Sequence, residues 1–176
     1  MSEQMTSHQE FPDTMDTMDT MDTEENSTVE RCLTFESGNL ILYISTKYVI
    51  EAIHNISNHS ITRLPLVPPY IKGIINLRGQ ILPVVDIKMR MGKSETEYTS
   101  TTCIIVLDIN SVSLGIIVDS VRQVMDIDLK DVRPIPVKRQ QKLLDGMVTM
   151  ADGSVFMSVD CQALAQNSTL NDMGVI

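Results

Sequence analysis

Three aspartates, Asp126, Asp128 and Asp131, have the carboxylate spacing with which a calcium-binding loop begins. Such a loop also needs a glycine at its sharp turn and a bidentate glutamate at its end. The glycine is missing, and Val137 stands where the glutamate belongs. Residues of the right type are therefore present without the rest of the site, and the sequence predicts no calcium loop here.

The remaining candidates for catalysis are equally incomplete. His54 and His59 lie in a loop with no cysteine nearby and no carboxylate at metal-ligand spacing. Ser113 and Ser120 lack the glycines of a nucleophile elbow. Four glycines form no phosphate-binding cluster at a strand-to-helix turn: Gly38, Gly73, Gly79 and Gly92. No nucleophile, base and orienting group can be assembled, so the sequence predicts neither an enzyme nor a cofactor or metal site.

The hairpin predicted over residues 71–87 is the element around which the chain is organised. Two runs of aliphatic and β-branched residues, Ile71–Leu77 and Ile81–Ile87, flank Arg78-Gly79, and glycine supplies the positive φ of a tight turn. Both runs are apolar with little alternation, which predicts burial on both faces. Pro83 has no N–H to donate, which predicts an edge position or a bulge for its strand.

Arg78 is the only charged residue between Gly73 and Asp86, and the hairpin places it at the tip between apolar strands. One interpretation is a turn residue in solvent, which is the commoner role of a charged residue at such a position. The other is an anchor for a partner protein, because arginine is enriched among the residues that dominate binding energies. Spacing alone leaves both open.

Charge is concentrated in the first part of the chain. The formal net charge is −9, yet residues 1–30 contain nine acidic residues and neither lysine nor arginine, and the rest is neutral. Residues 13–23 repeat Asp-Thr-Met, a period that suits neither helix nor strand. We expect residues 1–29 to form a disordered acidic tail. The alternative is an acidic segment that attracts a metal ion or a partner protein. A secretory signal and an apolar run long enough to span a bilayer are both missing from the sequence.

The body of the chain is predicted to consist mainly of β-strands. Strands are expected over Cys32–Glu36, Leu40–Ile44, Cys103–Leu107, Val112–Val118, Gly146–Val148 and Val155–Asp160, with order beginning near Arg31. Residues 46–53 form a short element that the sequence does not assign to helix or strand. Residues 89–102 are expected to form a crossover between two halves of the domain. A helix is predicted over residues 137–144, stopped by Gly146. Asp160 is expected to cap a last helix that ends at Gln166.

Cys32, Cys103 and Cys161 are odd in number and widely spaced, which predicts reduced thiols rather than a disulfide framework.

The hairpin also carries a family resemblance. Ile71-Lys72-Gly73, Asn76-Leu77-Arg78-Gly79 and Pro83-Val84-Val85-Asp86 resemble, in order and spacing, the signature of the CheW family of bacterial chemotaxis coupling proteins. Gly115-Ile116-Ile117-Val118-Asp119 and Arg133-Pro134-Ile135-Pro136 continue the similarity, which extends over about residues 31–165. The Asp-Thr-Met tail is not a family feature.

The resemblance implies an all-β, CheW-like fold with two five-stranded SH3-like β-barrel subdomains and short helices. The expected boundaries are an acidic tail at 1–29, a domain of two interleaved barrels at 30–167, and a frayed end at 168–176. It further implies a non-catalytic adaptor, a monomer in isolation, that couples the cytoplasmic tip of methyl-accepting chemoreceptors to the regulatory domain of the histidine kinase CheA. That adaptor would be cytoplasmic, associated with membrane-anchored receptor arrays. The implied contacts are Val49, Glu51, Lys72, Gly73, Asn76, Arg78, Gly79, Val118 and Asp119.

Two alternatives stay open. The first is a coupling protein for another CheA-like kinase pathway, such as twitching motility. The second is a small β-barrel that binds a ligand or nucleic acid. A nucleic-acid module needs a basic stripe or stacking aromatic residues, whereas this body is neutral and the chain has 4% aromatic residues. We therefore expect no nucleic-acid partner and no insertion into a membrane.

Overall fold

The computed structural model describes residues 27–135, 143–166 and 168. The strands and helices of these residues are β1 Val29–Ser37, β2 Leu40–Ser45, β3 Val49–His54, β4 Ile71–Leu77, β5 Gln80–Asp86, α1 Ile87–Arg90, β6 Cys103–Ile109, β7 Val112–Val118, β8 Ser120–Asp128, β9 Leu144–Thr149, β10 Val155–Val159 and α2 Cys161–Ala165. Short 3-10 helices precede β3 and follow both β3 and β8. No helix in this part of the chain has the length and apolar character needed to cross a membrane.

The strands form two five-stranded sheets. The first has the order β8-β1-β2-β10-β9, and the second has the order β3-β6-β7-β5-β4. The second sheet is thus made from one continuous stretch of chain inserted between β2 and β8 of the first. The predicted all-β fold with two five-stranded units and short helices is confirmed.

An aliphatic core joins the two sheets. Its buried members come from both sheets and include Phe35, Leu42 and Val159 from the first, and Val85, Ile105, Leu107 and Ile116 from the second. Each sheet also has a smaller cluster of its own, around Phe156 in the first sheet and around Ile75 in the second. Burial of apolar area supplies most of the free energy that holds such layers together, and the shared cluster makes the two sheets one packed body.

The central hairpin has the predicted turn and partly different burial. Arg78 and Gly79 have φ values of 54° and 83°, as in a two-residue type I′ turn between β4 and β5. Strand β5 is buried along most of its length, as predicted. Strand β4 instead alternates between buried and partly exposed residues, so the prediction of burial on both faces is wrong for it. The alternation means that one face of β4 packs against the protein, while the other face is partly open to solvent.

Pro83 lies in an interior strand, so the predicted edge position is wrong, and the register shift of this hairpin falls in β4 between Ile71 and Gly73. The backbone explains how proline is accommodated. Ile74, which faces Pro83, exchanges both of its backbone hydrogen bonds with Thr62, so the Ile74–Pro83 pair makes none. The nitrogen of Pro83 therefore points toward β7, whose pairing with β5 begins only at Val84. The missing N–H breaks no ladder bond.

The connections between the sheets differ from the predicted one. Residues 89–102 join β5 to β6, which belong to the same sheet, so the predicted crossover there is wrong. The chain crosses to the second sheet through the 3-10 helix Thr46–Tyr48 and returns at Asp119, between β7 and β8. Both crossings are short, and short connections with polar residues give little sequence signal that the sheet has changed.

The ends of the body show further differences. Strand β1 begins at Val29, two residues before the expected start at Arg31, and Thr28 Oγ1 donates to Asp128 Oδ1 at 2.7 Å. Gly146 lies inside β9 and does not stop a helix. Most of the predicted helix over 137–144 lies outside the described residues, as do residues 1–26 of the acidic tail and the end of the chain after Ser168. Asp160 caps α2 as predicted, accepting from Ala163 N at 3.0 Å.

Candidate partner-binding site

Glu51, in β3, and Arg78, in the turn between β4 and β5, form an ion pair on the second sheet. Arg78 Nη2 donates to Glu51 Oε2 at 3.2 Å, and Nη1 lies 3.2 Å from Oε1, which is buried and accepts no hydrogen bond. Arg78 keeps 77% of its side chain exposed, whereas Glu51 keeps 26%. The carboxylate is thus held against the protein while the guanidinium faces solvent with donors to spare. Two residues that the resemblance singled out separately are brought together.

Two further predicted residues, Asn76 and Gly79, shape the turn that presents Arg78. Asn76 Oδ1 accepts from Gly79 N at 3.0 Å, which closes the turn through a side chain. Gly79 has a positive φ, and a Cβ there would meet nothing within 4 Å. Glycine is therefore favoured at position 79 by the backbone conformation and not by a close contact. The open space around it leaves the turn accessible to a partner.

Two exposed apolar residues that the sequence pattern did not single out lie on strands that contribute to or adjoin this ion pair. Ile50 and Ile81 are 58% and 49% exposed. Ile50 lines a cavity of about 180 Å³ together with Arg78, Leu77 and Leu82, among others, and Ile81 pairs with Asn76 in the hairpin. A charged centre with apolar neighbours is the composition of a protein interface. The exposure of Ile81 could have been predicted from the alternation of inward and outward residues in the strand that follows the turn.

Lys72 and Gly73 lie at the other end of β4, away from Arg78. Lys72 pairs with Glu95, and that hydrogen bond and positive charge lower the pKa of the Glu95 carboxyl. Gly73 has φ 142°, and a Cβ would lie 2.1 Å from the backbone oxygen of Thr62. Gly73 is needed so that residues 61–63 can approach β4 closely, which gives it a structural role.

Val49, Val118 and Asp119 also lie apart from the ion pair. Val118 is 1% exposed and belongs to the shared core, so its side chain is inaccessible in the free chain. Val49 packs against the same core from β3, two residues before Glu51. Asp119 occupies the return crossing between the sheets and accepts from Lys88 Nζ at 2.8 Å. The structure thus separates the predicted residues into a group near Arg78 and others that hold the fold.

The described residues include histidine, cysteine and acidic side chains of the types that can take part in chemistry. In the described part of the chain, no three His, Cys, Asp or Glu side chains are grouped to hold a metal ion. Cys103 Sγ lies 3.1 Å from His54 Nδ1, but burial raises the pKa of the Cys103 thiol, which keeps it protonated. Burial, followed by the charges of Asp145 and Asp160, raises the pKa of Cys161 to about 12. These thiols are poor nucleophiles at neutral pH.

Known proteins show the same arrangement of sequence and fold. Residues 31–169 match the CheW-like domain, which is well over half of the chain. The chain belongs to the CheW-like domain family. Among solved structures, the scaffolding protein TtCheW of Thermoanaerobacter tengcongensis superposes with a TM-score of 0.67 at 28% identity, over 74% of this chain and 88% of that one.

Curated relatives of this CheW-like chain agree with the assignment. Chemotaxis protein CheW of Rhizobium meliloti is 39% identical over 75 residues, which are 43% of this chain and 48% of the relative. Protein FrzA of Myxococcus xanthus is 29% identical over 103 residues, 58% of this chain and 62% of the relative. The chain spans about half the length of the first curated relatives it matches.

Proposed function

We propose that this CheW-like chain is a non-catalytic adaptor that couples methyl-accepting chemoreceptors to a CheA-type histidine kinase. The observation that carries the proposal is the exposed Arg78 guanidinium, which is paired with Glu51 and shares a surface cavity with Ile50, in a chain of this family. Arginine beside apolar residues is typical of residues that dominate an interface. The adaptor would work in the cytoplasm, at membrane-anchored receptor arrays.

In this proposal the two sheets provide two partner surfaces on one packed body. The surface around Arg78 takes one partner, with Glu51, Asn76 and Gly79 as its other predicted members. The kinase regulatory domain and the cytoplasmic tip of the receptor are the two candidate occupants. An adaptor of this kind contributes geometry alone: it holds a receptor and a kinase in one fixed arrangement and needs no reactive group.

A second candidate is a coupling protein for another CheA-like kinase pathway, such as twitching motility. The match to protein FrzA, whose name is not that of a chemotaxis protein, supports keeping it. A ligand-binding or nucleic-acid module is the least supported alternative, because the positive residues of the body are balanced by acids.

Binding measurements at physiological salt test the proposal. The full chain is titrated with a CheA-type kinase, with a receptor cytoplasmic fragment from the same genome, and with duplex DNA as a control. We expect saturable binding to both proteins, none to DNA, and higher kinase activity only when all three proteins are present. Binding to DNA alone, or a stable phosphoaspartate on this chain after incubation with active kinase, would contradict the adaptor function.

A further inference from the structure

Lys88 places a charged ammonium group in the interior. The residue is 6% exposed, and its Nζ donates to Asp119 Oδ1 at 2.8 Å and also to Thr96 Oγ1. Lys88 lies in α1, which directly follows β5 and is capped by Asp86 through the backbone N–H of Lys88 at 3.0 Å. Its position is thereby fixed to the second sheet. A buried ammonium needs a charged partner, since desolvation otherwise disfavours its charged form.

Asp119, the partner of Lys88, is attached to the first sheet. Its second carboxylate oxygen, Oδ2, accepts from Gly38 N at 2.6 Å, in the turn between β1 and β2. Its backbone N donates to Glu36 O at 2.9 Å, in β1. One carboxylate therefore receives a donor from each sheet, at the point where the chain returns from the second sheet to the first.

The shared core cannot by itself specify the angle between the sheets as sharply as this contact does. Its members are mainly aliphatic side chains, and burial of apolar area is non-directional. Hydrogen bonds are directional, and charge-assisted ones are the strong members of the class. Lys88 is buried, whereas Asp119 keeps 39% of its side chain exposed, so the pair is only partly shielded from water. Such a pair adds little net stability compared with an apolar replacement, yet it favours one arrangement among several of similar burial.

We propose that Lys88 and Asp119 are positioning residues that set the orientation of the two sheets, and through it the coupling of two partners. The inference rests on the proposed adaptor function and assigns Asp119, which the resemblance placed among the partner contacts, to the interior clamp instead. Without the clamp, each partner surface remains intact, but the two surfaces no longer hold their partners in the productive arrangement.

Lys88→Met tests the clamp, with Arg122→Met as the matched control. Methionine is one atom shorter than lysine, keeps its unbranched apolar stem and removes its charge, while Asp119 retains its contact with Gly38 and partial access to water. Arg122 also pairs with a carboxylate, that of Glu36, but both residues lie in the first sheet. We expect Lys88→Met to bind the kinase and the receptor fragment each within about twofold of wild type, while receptor-dependent kinase activation falls about fivefold or more. Arg122→Met should change neither.

A second measurement reads the geometry without any partner. Residual dipolar couplings of backbone amides report the orientation of each sheet in one alignment medium. We expect a single common orientation to fit both sheets of the wild type and separate orientations, or reduced alignment of one sheet, in Lys88→Met. If Lys88→Met does not fold, Lys88→Gln, which keeps a neutral donor, is held to the same expectations.

Unchanged activation together with one common orientation in the folded variant would overturn the clamp. Failure of the wild-type chain to bind either partner would reject the adaptor function, while the dipolar couplings would still decide the role of Lys88.

Discussion

Arg78 and Glu51 lie 27 residues apart in sequence and on elements from opposite ends of the second sheet, yet they share two contacts of 3.2 Å. Glu51 belongs to the edge strand β3, and Arg78 to the turn that follows the edge strand β4. The sheet must therefore curl until its two edges approach, as in a small barrel. The same ion pair that marks the candidate site is also a sign of how the sheet closes.

Arg78→Ala is expected to separate binding from folding. Arg78 keeps 77% of its side chain exposed, and ion pairs with such a surface partner contribute at most about 1 kcal/mol to stability. We expect the free energy of unfolding to change by less than this, measured by urea denaturation. If Arg78 anchors the interface, affinity for one partner falls by about thirtyfold, equivalent to roughly 2 kcal/mol.

Titrating the kinase and the receptor fragment separately against this variant identifies the partner that Arg78 contacts. Arg122→Ala is the control, because it removes another arginine from an exposed ion pair, on the first sheet. If Arg78→Ala binds both partners with wild-type affinity and supports wild-type kinase activation, Arg78 is only a turn residue and does not contact a partner.

Val85→Ala and Ile81→Ala test the burial of β5, since the two residues share one strand. Val85 is fully buried in the shared core, whereas about half of Ile81 is exposed. Removing two methyl groups and leaving a cavity at Val85 should cost about 2 kcal/mol of unfolding free energy. The cost at Ile81 should be within about 0.5 kcal/mol. If both variants lose the same unfolding free energy in urea denaturation, Val85 does not lie in a buried core.

Gly73→Ala and Gly79→Ala distinguish a close approach from a turn. Both glycines have positive φ, so alanine strains the backbone at each, by about 1–2 kcal/mol. Only at Gly73 would the new Cβ also collide with a backbone atom, the oxygen of Thr62. We therefore expect Gly73→Ala to lower the thermal midpoint more than Gly79→Ala. The reverse order would argue against the packing of residues 61–63 on β4.

Truncation after different residues locates the start of the folded body. Removing residues 1–26 should leave the thermal midpoint unchanged, because β1 and its flanking contacts remain. Removing residues 1–29 also deletes the Thr28 hydroxyl bound to Asp128 and the Thr28 oxygen that accepts from Leu129 N. We expect this longer truncation to unfold at a lower temperature. A loss already present in the shorter truncation would show that the tail contributes to the fold.

Cys161 should react slowly with iodoacetamide. With its pKa at about 12, on the order of one thiol in ten thousand is ionised at pH 8, and only the thiolate is nucleophilic. Because Asp145 is among the charges that raise this pKa, Asp145→Asn should lower it and speed alkylation, followed by mass spectrometry. Asp131→Asn is the control, since Asp131 is not among those charges. A rate that levels off near pH 9 would contradict the raised pKa.

Local residue chemistry predicted the secondary structure well. The turn at Arg78-Gly79, most strands and the capping role of Asp160 follow from backbone preferences of single residues and from apolar runs, which act over a few positions. The family signature also predicted that the strands divide into two subdomains, because a long and specific motif indicates the fold of its family. The same information could not distinguish the one-sided burial of β4 from burial on both faces.

What only the tertiary structure decided is which residues meet across the fold. The partnership of Glu51 with Arg78, the contact of Gly73 with Thr62 and the clamp between Lys88 and Asp119 all join segments distant in sequence. Charges of opposite sign are common along the chain, and sequence spacing says nothing about which of them are brought within reach. That depends on how the second sheet curls and packs on the first, because the core between them is built from residues of both sheets.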